Sequence, residues 1–185
     1  MLNNIKMRVK IVFAIFLSVC FISCKRNRLS DEMIKKWIGK ELKYDDAIFT
    51  IMGKDTINFN LDDFDYKILT YVDSKGCTAC QMKIEEWKEY MNMVDSLWSG
   101  KVGFIFYYAP ESFRTVAFVL QEHNFDYPVI IDTVSVFRRR NSIPNNYMLQ
   151  TFLLDKENRI VAVGNPVINI KIETLYNQII GATSN

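Results

Sequence analysis

Between residues 66 and 108 the spacing of apolar side chains changes period twice. Tyr66 to Val72, YKILTYV, is a near-continuous apolar run of strand length. Cys80, Ile84, Trp87, Met91, Val94 and Trp98 then recur at steps of 4, 3, 4, 3 and 4, one face of an amphipathic helix. Val102 to Tyr108, VGFIFYY, is a second strand-like run. A strand that is apolar on both sides has no face to give to water. Two of them alternating with amphipathic helices predict a sheet covered on both faces, an α/β architecture. At 185 residues the chain is long enough for one domain with a substantial core and short for two.

The pattern continues downstream. After Pro110 a helix is predicted with Phe113, Val116, Ala117 and Leu120 on one face, followed by a short strand at Pro128 to Ile131. Residues 133–146 read as irregular or one helical turn. Tyr147 to Leu154 and Arg159 to Val163 read as strands around a turn at Asp155-Lys156-Glu157-Asn158. Gly164, Asn165 and Pro166 break the chain, and a last helix carries Ile168, Ile172, Leu175 and Ile179. The expected order is β-α-β-α-β, a β-hairpin, then α, so the sheet is mixed. Upstream, Ser30-Asp31-Glu32 is a helix start with Met33, Ile34, Trp37 and Ile38 at helical spacing, and Trp37 is positioned to dock this extension on the domain. Residues 46–60 hold short β-rich pieces around Gly53-Lys54-Asp55.

The four cysteines fall in two close pairs, Cys20 with Cys24 and Cys77 with Cys80. The first pair lies in a targeting segment. Lys6, Arg8 and Lys10 precede an uncharged run, IVFAIFLSVCFIS, over residues 11–23. A basic start and an apolar run of this length form a secretory signal pattern. The run falls short of the roughly 20 apolar residues that a spanning helix needs. It ends in Phe21-Ile22-Ser23-Cys24, which resembles a bacterial lipoprotein signal; the resemblance implies cleavage after residue 23 and acylation of Cys24. The organisation expected is a signal peptide at 1–23, a tether and extension at 24–61, and a domain at 62–185. Removing residues 1–23 leaves 20 basic and 21 acidic residues, so the mature net charge is about −1 rather than +2. That balance gives no basic footprint for nucleic acid. Export also puts Cys77 and Cys80 in an oxidising or redox-managed compartment.

Cys77-Thr78-Ala79-Cys80 directly follows the first strand run and opens the first predicted helix. Residues three apart on a helix share a side, so the sulfurs can meet. Unpaired amides and the helix dipole favour a thiolate at the first cysteine, and Lys75 adds positive charge nearby. The second cysteine lies one turn further in. This asymmetry suits thiol-disulfide exchange in either direction, with Cys77 as nucleophile and Cys80 as resolving thiol. Two other readings stay open. A closed zinc or copper site needs further ligands, and the single histidine, His123, lies more than forty residues away. A static disulfide closing so short a loop would contribute little stability.

The CxxC after the first core strand, in this order of elements, resembles the thioredoxin-like superfamily, and the lipobox resembles its exported, membrane-anchored oxidoreductases. The resemblance covers roughly residues 62–185. It implies a thioredoxin-like fold, with a central mixed sheet and helices on both faces behind a short N-terminal extension. It also implies no bound cofactor and no metal, a monomer, protein thiols and disulfides as substrates, and a separate protein that recharges the site. The site would face the periplasm of a Gram-negative cell. Thr151-Phe152-Leu153-Leu154-Asp155 is similar to the family's later core strand. The cis-proline loop that faces substrate in the family falls by spacing at Leu149, Gln150 and Thr151, and none of these is proline; a trans peptide is expected there. The tryptophan often found before the first cysteine is replaced by Gly76, and the family's buried acid by Tyr71. The alternative function is a non-enzymatic interaction module, or a copper or zinc binder through the same CxxC.

Among other residues, Arg138-Arg139-Arg140 reads as a solvated face and His123 as a surface or capping residue. Trp87 and Trp98 read as core. Glu85 and Glu86 face solvent by default, and Asp73 closes a turn.

Overall fold

A computed structural model describes residues 32–44, 48–74 and 82–182. The chain forms two compact units, Met1–Trp37 and Ile38–Asn185. In the first, residues 32–37 are helical, in line with the periodicity of Met33, Ile34 and Trp37. The expected signal peptide, Cys20, Cys24, Lys75, Cys77 and Cys80 lie outside the described residues.

The second unit is built on one seven-stranded sheet. In chain order its strands are β1 (Phe49–Ile51), β2 (Asp55–Ile57), β3 (Tyr66–Asp73), β4 (Val102–Ala109), β5 (Val129–Ile131), β6 (Thr151–Leu154) and β7 (Ile160–Val163). The helices are α1 (Ile84–Trp98), α2 (Phe113–Glu122), α3 (Val136–Asn141) and α4 (Ile170–Ala182). The spatial order is β2-β1-β5-β4-β3-β6-β7. β3, β4 and β5 are parallel, and the two hairpins, β1–β2 and β6–β7, extend them antiparallel on opposite edges. The sheet is therefore mixed, as expected. β1 and β2, within the expected extension 24–61, are strands of this sheet, and the second compact unit spans Ile38–Asn185.

β3 and β4 are central because they can be buried on both faces. All eight residues of β4 and seven of eight in β3 are buried. On one face Ile68, Val72, Phe104, Phe106 and Tyr108 share a core with Trp87, Tyr90 and Val94 of α1, with α2, and with Tyr176 and Ile180 of α4. Trp87 meets Phe106 edge-on at 5.3 Å and Tyr90 at 5.9 Å, geometry that suits the aromatic quadrupole. On the other face Tyr71 and Tyr107 stack on Phe137 of α3 at 5.9 and 4.0 Å. Gly103 fits a close approach: a Cβ there would lie 2.6 Å from the Phe64 ring.

Two expected elements differ. The strand expected from Tyr147 starts at Thr151, because residues 147–149 form a 3₁₀ turn capped by Asn146, whose Oδ1 accepts from the Met148 N–H. The regular helix expected from Cys80 starts at Ile84, because Lys83 takes a left-handed conformation (φ 48°) and interrupts it. Residues 133–146, read as irregular or one turn, contain the short helix α3.

Candidate functional site

β3 ends at Asp73, and the chain returns at Met82, which is helical and fully buried, before Lys83 and α1. The segment between them carries the CxxC. Beside these two anchored ends lies a groove of about 120 Å³, lined by Thr70, Tyr71, Val72, Lys83, Gln150 and Thr151 among others. Its floor is where β3 and β6 meet. Thr70 pairs with Thr151 across the strands, and their hydroxyls lie 2.9 Å apart. Tyr147 and Ile168 stand on its rim, both exposed.

Of the three loop residues expected to face substrate, Gln150 and Thr151 line the groove, whereas buried Leu149 is not among its lining residues. Backbone groups here are already committed. Leu149 N–H donates to the Asn146 carbonyl, Gln150 N–H to the Tyr147 carbonyl, and the Gln150 carbonyl accepts from Tyr71 N–H. The Gln150 side chain is buried too, its Nε2 donating to the Pro144 carbonyl at 2.8 Å. No cis peptide bond occurs among the described residues. What these positions offer the groove is a threonine pair and an amide, without free backbone at Leu149 or Gln150 N–H.

Tyr71 is 2% exposed. Its hydroxyl has no hydrogen bond of normal geometry. Burial pushes the phenol above its ordinary range, with the nearby Ser135 side chain and the Arg138 guanidinium pulling the other way. Arg138 lies 6.0 Å from the Tyr71 ring centroid, and its Nη1 donates to Asp73 Oδ2 at 2.8 Å. The Asp73 and Arg138 side chains are 10% and 19% exposed. Arg138 also bonds Asn145. The expected solvated arginine face is thus corrected at its first residue. Arg138 is drawn inward because Asp73, the last residue of β3, gives it a shielded counter-charge. Asp73 does more than close a turn.

The remaining expectations fall into place on α1 and α2. Glu85 bonds His123 Nδ1 at 2.9 Å and Lys88 at 3.4 Å, which holds its carboxyl below the usual range. His123 caps the C-terminus of α2, on the surface as expected. Glu86 is paired with Lys83 at 2.7 Å. Trp87 is core, and Trp98 packs half-buried against it. Sequence reasoning did not find the Thr70–Thr151 pair or the Asp73–Arg138 pair. The near-continuous apolar run from Tyr66 to Val72 placed Thr70 in a buried strand, where a polar residue is itself a signal that a partner exists, whereas Asp73 read as closing a turn.

No protein-family model matches the chain, and no curated protein matches it in sequence. Solved structures do match. A proposed protein disulfide isomerase from Bacteroides thetaiotaomicron superposes with a TM-score of 0.57 at 16% identity, covering 77% of this chain and 87% of that one. A peroxidoxin from Mycobacterium tuberculosis gives 0.57 at 11% identity, covering 80% and 98%. The thioredoxin domain of a thiol-disulfide oxidoreductase from Bacteroides vulgatus gives 0.52 at 14% identity, covering 76% and 98%. The chain has a thioredoxin-like fold.

Proposed function

We propose that the chain is a membrane-anchored thiol-disulfide oxidoreductase acting on protein disulfides through Cys77 and Cys80. The observation that carries this reading is the junction. In the sequence the CxxC lies between the carboxyl end of β3 and buried Met82, and the described residues on either side, Val72 and Lys83, line a groove with Thr70, Tyr71, Gln150 and Thr151. In the reducing direction the Cys77 thiolate attacks one sulfur of a substrate disulfide, forming a mixed disulfide and expelling one substrate thiolate. The Cys80 thiolate then attacks Cys77 Sγ, releases the second substrate thiolate and leaves a Cys77–Cys80 disulfide. Two electrons pass to the substrate, and a separate reductant protein restores the dithiol. The reverse sequence oxidises substrate. Lys83, the cation lining the groove among the described residues, favours the expelled thiolates. Acylation at Cys24 would tether the domain to a bacterial membrane, with the groove facing the periplasm.

The test is trapping in native membranes. Cys80→Ser should accumulate mixed disulfides that disappear with thiol reductant and with Cys77→Ser. A membrane fraction showing none, with a Cys77–Cys80 potential far below that of the compartment, would sink the reading. One observation favours a second reading, a non-enzymatic interaction module: the backbone N–H groups of Leu149 and Gln150 bond internally. A pair that stays oxidised while the domain still retains partners would support it.

A further inference from the structure

Glu86, Glu89, Tyr90 and Met93 fall at i, i+3, i+4 and i+7 on α1, one stripe of the helix. They line a notch of about 240 Å³ whose other wall is Val167, from the 3₁₀ turn 166–168, and Glu173 of α4. Three carboxylates face this notch. Lys83 answers Glu86, but among the described residues no cation lies within ion-pair distance of Glu89 or Glu173. Tyr90 is the second, independent observation. It is 5% exposed, packed on Trp87 and Phe104, and its hydroxyl has no hydrogen-bond partner. A buried hydroxyl left unpaired costs roughly 1–3 kcal/mol.

We infer that this notch receives an arginine side chain of a partner polypeptide. An arginine fits each part of the wall. Its planar fork carries five N–H donors, enough for the Glu89 and Glu173 carboxylates and for the Tyr90 oxygen as acceptor. Its methylene stem lies along Met93 and Val167. A metal ion fits less well: no group of three acidic, cysteine or histidine side chains among the described residues converges to hold one. The carrier is a polypeptide because the notch adjoins the groove: Ile168 lines the groove and its chain neighbour Val167 lines the notch. Lys83 lines the groove, and its Nζ bonds Glu86, which lines the notch. A chain lying in the groove therefore reaches the notch with a long side chain. The choice of a polypeptide carrier rests on the proposed reading of the groove as a protein-binding site, while arginine recognition by the notch does not depend on thiol exchange.

The test uses the full chain in a zwitterionic detergent, 13C-methyl labelled at methionine, with the Met93 signal assigned through Met93→Leu. The probes are acetyl-Gly-Arg-Gly-amide and the same peptide with citrulline, a neutral isostere of arginine. Saturable movement of the Met93 signal is expected with the arginine peptide, with affinity about tenfold weaker for citrulline. Glu89→Gln with Glu173→Gln should weaken the arginine peptide by about tenfold or more, and added salt should weaken it further. Tyr90→Phe should weaken binding while leaving the free protein as stable as before or more so, because an unpaired hydroxyl is removed. Equal response to both peptides, no response up to about 10 mM, or indifference to the two glutamine changes would overturn the inference.

Discussion

Trp87 and Asp73 show how differently two buried residues act. Trp87 is 1% exposed and meets Tyr90, Phe104 and Phe106 edge-on. Trp87→Ala should lower stability by about 3–5 kcal/mol, read as a lower urea midpoint at unchanged slope. Its core role was legible, because residues 4 and 3 apart on the predicted helix mark the face turned inward. Asp73 was less legible. Its counter-charge, Arg138, lies 65 positions on, inside a triplet that reads as solvated. Asp73→Asn should cost roughly 1–3 kcal/mol, since it leaves a shielded guanidinium without its carboxylate. A double-mutant cycle with Arg138→Met should show coupling; additive losses would mean the pair contributes nothing of its own.

At the level of elements, residues 38–44 are held to the domain by two asparagines. Asn141 at the end of α3 accepts the Lys43 N–H, donates to the Lys43 carbonyl and offers its own carbonyl to Lys40 Nζ. Asn158, in the β6–β7 turn with φ 63°, accepts at Oδ1 from Lys67 Nζ and the Tyr44 hydroxyl, and its carbonyl takes the Leu42 N–H. Lys67 itself is fully buried in β3, and its Nζ also donates to the Lys156 carbonyl. Asn141→Ala should release Lys43 and raise its amide-exchange rate, while Leu42, bonded at the other asparagine, stays protected; equal loss at both would mean the segment opens as one unit. None of this pairing was legible, because an asparagine carries no periodic signal. The β1–β2 pieces were legible as strands around Gly53, whose φ of 67° follows Met52 at 49° in the tight turn. Their attachment to β5, through Phe49 opposite Ile130, was not, because strand pairing acts between segments far apart in sequence.

Across the whole molecule, burial couples protonation to folding. Desolvation raises the phenol of Tyr71 above its ordinary value of 10.0, lifts those of Tyr90, Tyr108 and Tyr176 well above it, and pushes Tyr127 up to about 12. These groups keep their protons longer folded than unfolded, so their contribution is fully present below pH 10 and is lost as pH rises through the folded values. Lys67 has the opposite sign. Burial lowers its pKa from 10.5, so the folded state sheds that proton first and gains relative stability as pH climbs toward the unfolded value. Five phenols outweigh one ammonium, so stability should fall above about pH 10. In a spectrophotometric titration, these raised phenols should ionise together with loss of the near-ultraviolet circular dichroism. Smooth titration of these five tyrosines before any unfolding would contradict this.

The sequence alone determined the two long strands, the long amphipathic helices and their order, because each such element must bury its own apolar face and that need is written in local periodicity. It also determined that the CxxC joins the first long strand to the first long helix. Only the tertiary structure decided which strands became neighbours, where the sheet gained its extra hairpin, and which polar residues went inside. Those outcomes depend on surfaces meeting across long stretches of chain. The groove and the acidic notch are of this kind: each is assembled from segments that share no local pattern and become neighbours only when the sheet closes its order.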